Sequence, residues 1–338
     1  MILAMGLAAM AFLQGTTETE VKITGAGGMV LSGTLSIPKH APGVKVPGVL
    51  LLPGSGRTDR NGNQPPQLVT NLLKEISTTL NQSGFATLRF DKRASHTYMP
   101  LFKKMKSEDY SEFFKWENFV DDATNAMRFL QSQPSVDGKR VAIIGHSEGS
   151  EIALQIGSNL AGKKDQPAAI VTMGGAGRPM GPILHEQIGR ALDKQKQAGP
   201  VRKMYLDAVD KATAQVAKTG TFPADVPPGL TALFNPTVAK LMQSYCRIDP
   251  CDLAKNYPGD VLVLNGANDT QVSPERDTPK LEAALKARSK GATEVLIVPN
   301  TSHNFKPTTG KNDDAYEGPV NPIALDKIKM FLTKHLHP

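Results

Sequence analysis

The run Val141-Ala142-Ile143-Ile144-Gly145-His146-Ser147-Glu148-Gly149 decides how this chain is read. Its four leading apolar residues make a strand, and Glu148 to Leu160 carry helical spacing. Between them stands G-x-S-x-G, the pattern of a sharp strand-to-helix turn that lifts a serine hydroxyl above a sheet. Glycines flank the serine because bulkier neighbours would clash with the strand and helix that the turn joins. The following helix aims its N-terminus at the place where an oxyanion develops. The bland alternative is a tight turn in which Ser147 merely caps the next helix. A strand before and a helix after favour Ser147 as a nucleophile.

Outward from this turn, element types alternate. Gly48 to Leu52 is a continuous apolar run stopped by Pro53 and Gly54, suited to a strand covered on both faces. Further strands are expected at Phe85–Phe90, Ala168–Met173, Val261–Leu264 and Glu294–Val298. Helices are expected at Leu68–Leu80, Phe113–Leu130, Pro279–Ala287 and Pro322–Leu336, and Val21–Ile23 with Met29–Ile37 reads as an opening hairpin. Such alternation gives an α/β fold, a mostly parallel sheet with helices on both faces. Residues 176–258 break the rhythm, with helical spacing, several prolines and no convincing strand. They read as a helical cap inserted between late strands, with residues 17–175 and 259–338 forming the core.

A serine nucleophile needs a base. The chain order that goes with this turn is serine, acid, histidine. That order removes His40, His96 and His146, while His185 lies in the cap and His335 and His337 end the last helix. His303 remains, in the loop directly after the strand that ends at Val298. The orienting acid belongs after the preceding strand, which points to Asp269. Asp260 precedes that strand and falls at the opposite edge of the sheet. The oxyanion hole takes two backbone N–H donors. One belongs to Glu148, the other to the Gly54-Ser55-Gly56 loop, most simply Ser55. That loop lacks the Lys-Ser/Thr of a phosphate-binding P-loop.

Gly54-Ser55-Gly56-Arg57-Thr58-Asp59-Arg60-Asn61-Gly62-Asn63, Arg89-Phe90-Asp91-Lys92-Arg93, the serine turn, and Leu264-Asn265-Gly266 through Asp269-Thr270-Gln271-Val272 together resemble a bacterial α/β-hydrolase family. Its members are described as carboxylesterase-like, or as related to serine aminopeptidases and dienelactone hydrolases. The resemblance covers nearly the whole chain outside its start and part of the cap, and it implies the α/β-hydrolase fold and a Ser-His-Asp triad. Two departures stand near the expected mouth of the site: Arg57 where the family commonly has proline, and Ala94-Ser95-His96 where a glycine commonly follows. Asp59, Arg60 and Asp91 to Arg93 read as an ion-pair network under the oxyanion loop.

The leading activity is hydrolysis of small to medium acyl esters through an acyl-enzyme, with no metal or organic cofactor. An aminopeptidase, amidase or thioesterase on the same fold is the alternative, and a non-catalytic binding protein a remote one. Anchoring a free substrate amine usually calls for carboxylates in the cap, where Glu186 is the single glutamate among Arg178, Arg190, Arg202 and Arg247. That tilts the choice to esters or anionic acyl groups. The net charge of +7, from 39 Lys and Arg against 32 Asp and Glu, is spread without a basic aromatic stripe, so no nucleic-acid partner is expected. Residues 1–16 hold an apolar run too short to span a bilayer. They resemble a secretory signal lacking its basic start, so a periplasmic or secreted location is expected, with a cytoplasmic one as the alternative, and stable membrane insertion is not. In an exported protein Cys246 and Cys251 have the option of a small disulfide loop.

Overall fold

The computed structural model describes residues 15–310 and 313–336; residues 1–14 of the signal-like segment lie outside the described residues. Among the described residues, eight strands form one sheet: β1 (Thr16–Thr24), β2 (Val30–Pro38), β3 (Val46–Leu52), β4 (Ala86–Phe90), β5 (Val136–His146), β6 (Ala169–Met173), β7 (Asp260–Gly266) and β8 (Thr293–Val298). The helices are α1 (Leu72–Gln82), α2 (Met99–Phe102), α3 (Tyr110–Phe113), α4 (Trp116–Gln131), α5 (Glu148–Asn159) and α6 (Met180–Lys194). They continue with α7 (Gly199–Thr219), α8 (Ala239–Arg247), α9 (Pro250–Asn256), α10 (Thr278–Lys286) and α11 (Pro322–Leu336).

The sheet order is β1-β2-β4-β3-β5-β6-β7-β8. Strand β2 is antiparallel to both neighbours, and every pairing from β4 to β8 is parallel. This is the arrangement expected of an α/β-hydrolase. Alternation along the strands sorts the core into two layers, because successive side chains point to opposite faces. Leu50, Leu52, Ile143, Val261 and Val263 face α4, α5 and α10. Val49, Leu51, Ala142, Ile144, Leu262 and Leu264 face α1 and α11. Each fully buried leucine contributes about 1.5–3 kcal/mol, which is why runs apolar on both faces settle in the middle of the sheet.

From β3 the chain crosses to β4 on one side and then to β5 on the other. Open α/β sheets place ligand sites at such a reversal, beyond the carboxyl ends of the strands. Here those ends lead into Gly54-Ser55 and Ser147.

Among the described residues, helices and turns alone connect β6 to β7. Helices α6, α7 and α8 pack on one another, whereas α9 packs on α5 and α10 in the layer that covers the sheet. Helix α1 starts four residues later than its periodicity predicts. Gln64 and Leu68 form a small bridge, and Asn71 takes a left-handed φ of 50° with its N–H donating to the Asn63 side chain. The stretch before α4, unassigned in the sequence, winds into α2 and α3. Cys246 and Cys251 are free thiols in this structure, each half-buried, and burial pushes both up to about 11. None of the described helices is long and apolar enough to cross a membrane.

Candidate active site

Ser147 sits between β5 and α5 with φ 51° and ψ −123°, a conformation that costs a non-glycine residue about 1–3 kcal/mol. Close packing on both sides holds it there. A Cβ on Gly145 would stand 2.0 Å from the Gly149 carbonyl oxygen, and one on Gly149 would stand 2.5 Å from that of Leu52. Behind the turn, Ser147 N donates to the Met173 carbonyl at 2.8 Å, and the Ser150 hydroxyl donates to the Gly145 carbonyl at 2.7 Å.

His303 lies in the loop after β8, and its Nδ1 hydrogen-bonds the Asp269 carboxylate at 2.7 Å. The other Asp269 oxygen accepts from Gln271 N at 2.7 Å and Val272 N at 2.9 Å, which fixes the carboxylate's orientation. Gly174, with φ +59°, passes so close that a Cβ there would lie 3.0 Å from the His303 ring. His146, buried beside this ring at 4.9 Å between centroids, donates from Nε2 to the His303 carbonyl at 2.9 Å. Burial first, then the neighbouring His303, pushes the His146 imidazole down to about 3, so it stays neutral. The other candidate bases pair elsewhere: His185 with Asp210, and His335 with Asp260 at the far edge of the sheet.

Ser147 lines two cavities. One, of about 360 Å³, also holds His303, Asn304, Gln64 and Tyr316. The second, of about 200 Å³, lies under α6 and α8 and is walled by Ile183, Leu184, Leu233 and Met242. Ser55 and Glu148 border the second cavity, and among the described hydrogen bonds neither backbone N–H donates to a protein group.

The predicted ion-pair network forms, with a strut that no sequence pattern marks. Arg60 binds Asp91 at 2.7 Å and Arg93 binds Asp122 at 2.7 Å. Lys92 is buried and donates both to the Gly54 carbonyl at 2.6 Å and to the Glu148 carboxylate at 2.8 Å. It therefore ties the loop carrying Ser55 to the residue after Ser147. Asp59 instead accepts from the Asn61 and Asn63 amides and shapes the loop. Arg57 and His96 are in backbone contact, the His96 N–H donating to the Arg57 carbonyl, and neither lines the two cavities at Ser147.

The charge reading of the cap is corrected. Arg178 pairs with Asp277 and Glu186, Arg202 with Asp193, and Arg190 and Arg247 hydrogen-bond backbone carbonyls. None of these arginines lines the 200 Å³ cavity, where the charged groups are the carboxyls of Glu148 and Glu151. Both come from α5, so an inventory of the cap could not find them. The signal lay in the sequence as Glu151, a second ionisable residue in the first turn of the helix that follows Ser147, on its buried side.

The sequence matches the family described as BAAT / Acyl-CoA thioester hydrolase C terminal over residues 123–309, more than half of the chain. The chain belongs to this family. The matched span of this BAAT/acyl-CoA thioester hydrolase C-terminal domain contains Ser147, Asp269 and His303. No curated protein matches the sequence. Among solved structures, an acylaminoacyl peptidase of Pyrococcus horikoshii is similar, with 15% identity and a TM-score of 0.59 over 96% of this chain and 42% of that one. An esterase of Pyrococcus furiosus has 14% identity and a TM-score of 0.59, covering 95% of this chain and 92% of its own. Est1E from Butyrivibrio proteoclasticus has 16% identity and a TM-score of 0.56, covering 94% and 99%. At these identities the likeness shows the fold alone, the α/β-hydrolase fold, and the chain spans well under half of the peptidase.

Proposed function

We propose that the protein is a serine hydrolase that cleaves carboxylic esters of small acyl groups through an acyl-enzyme. The observation that carries this reading is the His303–Asp269 pair, bonded at 2.7 Å and opening onto the cavity that Ser147 lines in its strained turn. Ser147 Oγ attacks the carbonyl carbon as His303 Nε2 takes its proton. Asp269 holds the Nδ1–H tautomer and stabilises the imidazolium. The free N–H groups of Ser55 and Glu148 receive the oxyanion. His303 then protonates the departing alcohol, and water, activated by the same imidazole, releases the acid.

The leaving group must depart beside His303, which assigns the alcohol to the 360 Å³ cavity and the acyl chain to the 200 Å³ one. Pockets for drug-sized ligands run to about 300–1,000 Å³, so the smaller cavity suits a short acyl chain. Helices α6 to α8 would then act as its lid. A thioesterase is the second reading, favoured by the family's own description; the same acyl-enzyme would form with a thiolate leaving.

Labelling with a fluorophosphonate probe tests the nucleophile. Wild type should be modified at Ser147 and Ser147→Ala should not; a folded, unlabelled wild type would refute the reading. Turnover of p-nitrophenyl acetate and butyrate, set against the matching thioesters and aminoacyl-nitroanilides, ranks the leaving groups. Faster cleavage of the anilides would replace the esterase reading by an amidase.

A further inference from the structure

The acyl cavity is apolar on the side of α6 and α8 and acidic on the side of α5. Glu151 stands one helical turn, about 5.4 Å of rise, beyond the nucleophile turn and lines the cavity with Ser147. It is 5% exposed and, among the described residues, its carboxyl makes no hydrogen bond or ion pair. Glu148 lines the same cavity, but its charge is matched by Lys92. A second, independent observation lies opposite. The Tyr245 hydroxyl of α8, on a side chain 6% exposed, is buried in the wall of this cavity without a hydrogen-bond partner among the described residues. Natural interiors rarely leave such groups unmatched, because each unmet donor or acceptor costs about 1–3 kcal/mol. Among the described residues, no lysine, arginine or histidine lines the cavity. An anionic acyl tail would meet only carboxyl groups there, whereas a cation would meet one free carboxyl and one free hydroxyl oxygen.

We infer that this cavity takes an acyl group bearing a protonated amine a few bonds from the scissile carbonyl, with Glu151 accepting from the ammonium group and Tyr245 Oη as a second acceptor. The substrate class is thus aminoacyl esters with small aliphatic side chains. This deepens the esterase reading and rests on it. Glu151 is a specificity residue in this scheme and does not touch the reacting atoms.

The decisive comparison uses substrates that differ only in the amine. L-Leucine methyl ester is set against methyl 4-methylpentanoate, and β-alanine methyl ester against methyl propanoate, each read as kcat/KM. Wild type should prefer the amine of a pair at least tenfold, and Glu151→Gln should collapse that ratio at least tenfold, with Glu151→Asp restoring part of it. Equal or inverse preference in wild type, or an unchanged ratio in Glu151→Gln, overturns the inference. If Glu151→Gln fails to fold, inhibition of the wild type decides instead. Isopentylamine should inhibit neutral-ester hydrolysis at least tenfold better than isopentyl alcohol, and equal inhibition overturns the inference. Hydrolysis of the neutral esters keeps the two readings apart. If they turn over without amine preference, only the aminoacyl inference fails. If no ester turns over and Ser147 resists fluorophosphonate, the esterase reading itself fails.

Discussion

At the scale of single residues, the site holds two buried carboxyls in different surroundings. Asp269 accepts two backbone N–H bonds besides that of His303, an anchorage that fixes one tautomer of the imidazole. Asp269→Asn keeps the shape but presents an amide where Nδ1–H needs an acceptor. We expect kcat to fall by about 10³–10⁴ with KM little changed, measured on p-nitrophenyl butyrate. Glu151 behaves differently. Burial first, then the nearby Glu148 and Asp277 charges, push its carboxyl up to about 8 from an ordinary 4.5. Those two charges are themselves paired, Glu148 with Lys92 and Asp277 with Arg178, and burial first, then Glu148 and Glu151, hold the Tyr245 phenol well above its usual range. With no cation bound, the folded chain therefore keeps a proton that the unfolded chain has released, whereas an ammonium group against Glu151 would favour its ionised form. Stability from this group is full below about pH 4.5 and is lost as pH rises through about 8, each pH step across that window removing roughly 1.4 kcal/mol. In Glu151→Gln that loss disappears, so its melting temperature relative to wild type should climb between pH 5 and pH 9. An equal difference at both ends would mean that Glu151 is ionised in the folded protein.

Among elements, the unit that matters is the pair of segments joined by Lys92, the β3–α1 loop and the start of α5. Lys92 reaches both from the end of β4, and its ammonium and the Glu148 carboxylate are each buried. Removing one partner of such a pair typically costs about 3–5 kcal/mol, because the other charge is left unmatched in a poorly solvated place. Lys92→Met should lose stability on that scale in urea unfolding and lower kcat at least a hundredfold. The double variant Lys92→Met, Glu148→Gln separates the two effects. With no charge left unpaired it should recover most of the stability. If Lys92 also sets the spacing of the Ser55 and Glu148 amides, kcat should stay low; recovery of kcat with stability would reduce Lys92 to a neutralising charge. The sequence points to an ion-pair network at Asp91 to Arg93 but not to this strut. It marks Glu148 for its backbone N–H alone, and the partner of a buried charge comes from a distant strand that no local pattern reveals.

For the molecule as a whole, legibility followed the range of the physics involved. Strands β3, β5 and β7 announce themselves by apolar runs, and the serine turn by its glycines, since strand alternation and close backbone contact are written in neighbouring residues. The chain order of Ser147, Asp269 and His303 then follows from the sheet, and the folded chain brings the last two into contact. Cavities have no such local signature. The walls beside Ser147 come from α5, α6 and α8, residues far apart in sequence, so the acidic side contributed by Glu151 stayed hidden while the cap's arginines misled. This division also says where substrate choice can be altered without disturbing the chemistry. Ile183 of α6 is 1% exposed, lines the small cavity and stands on the helical segment between β6 and β7. Ile183→Ala should cost about 2–5 kcal/mol if the wall does not collapse, because both transfer and cavity terms are lost. It should also lengthen the acyl pocket by a few methylenes, each worth about 1–3 kcal/mol in a fitted apolar site. The ratio of kcat/KM for p-nitrophenyl hexanoate over acetate should therefore rise at least tenfold, with fluorophosphonate labelling of Ser147 retained. A lower ratio with intact labelling would mean that the acyl chain enters from the His303 side, exchanging the roles given to the two cavities.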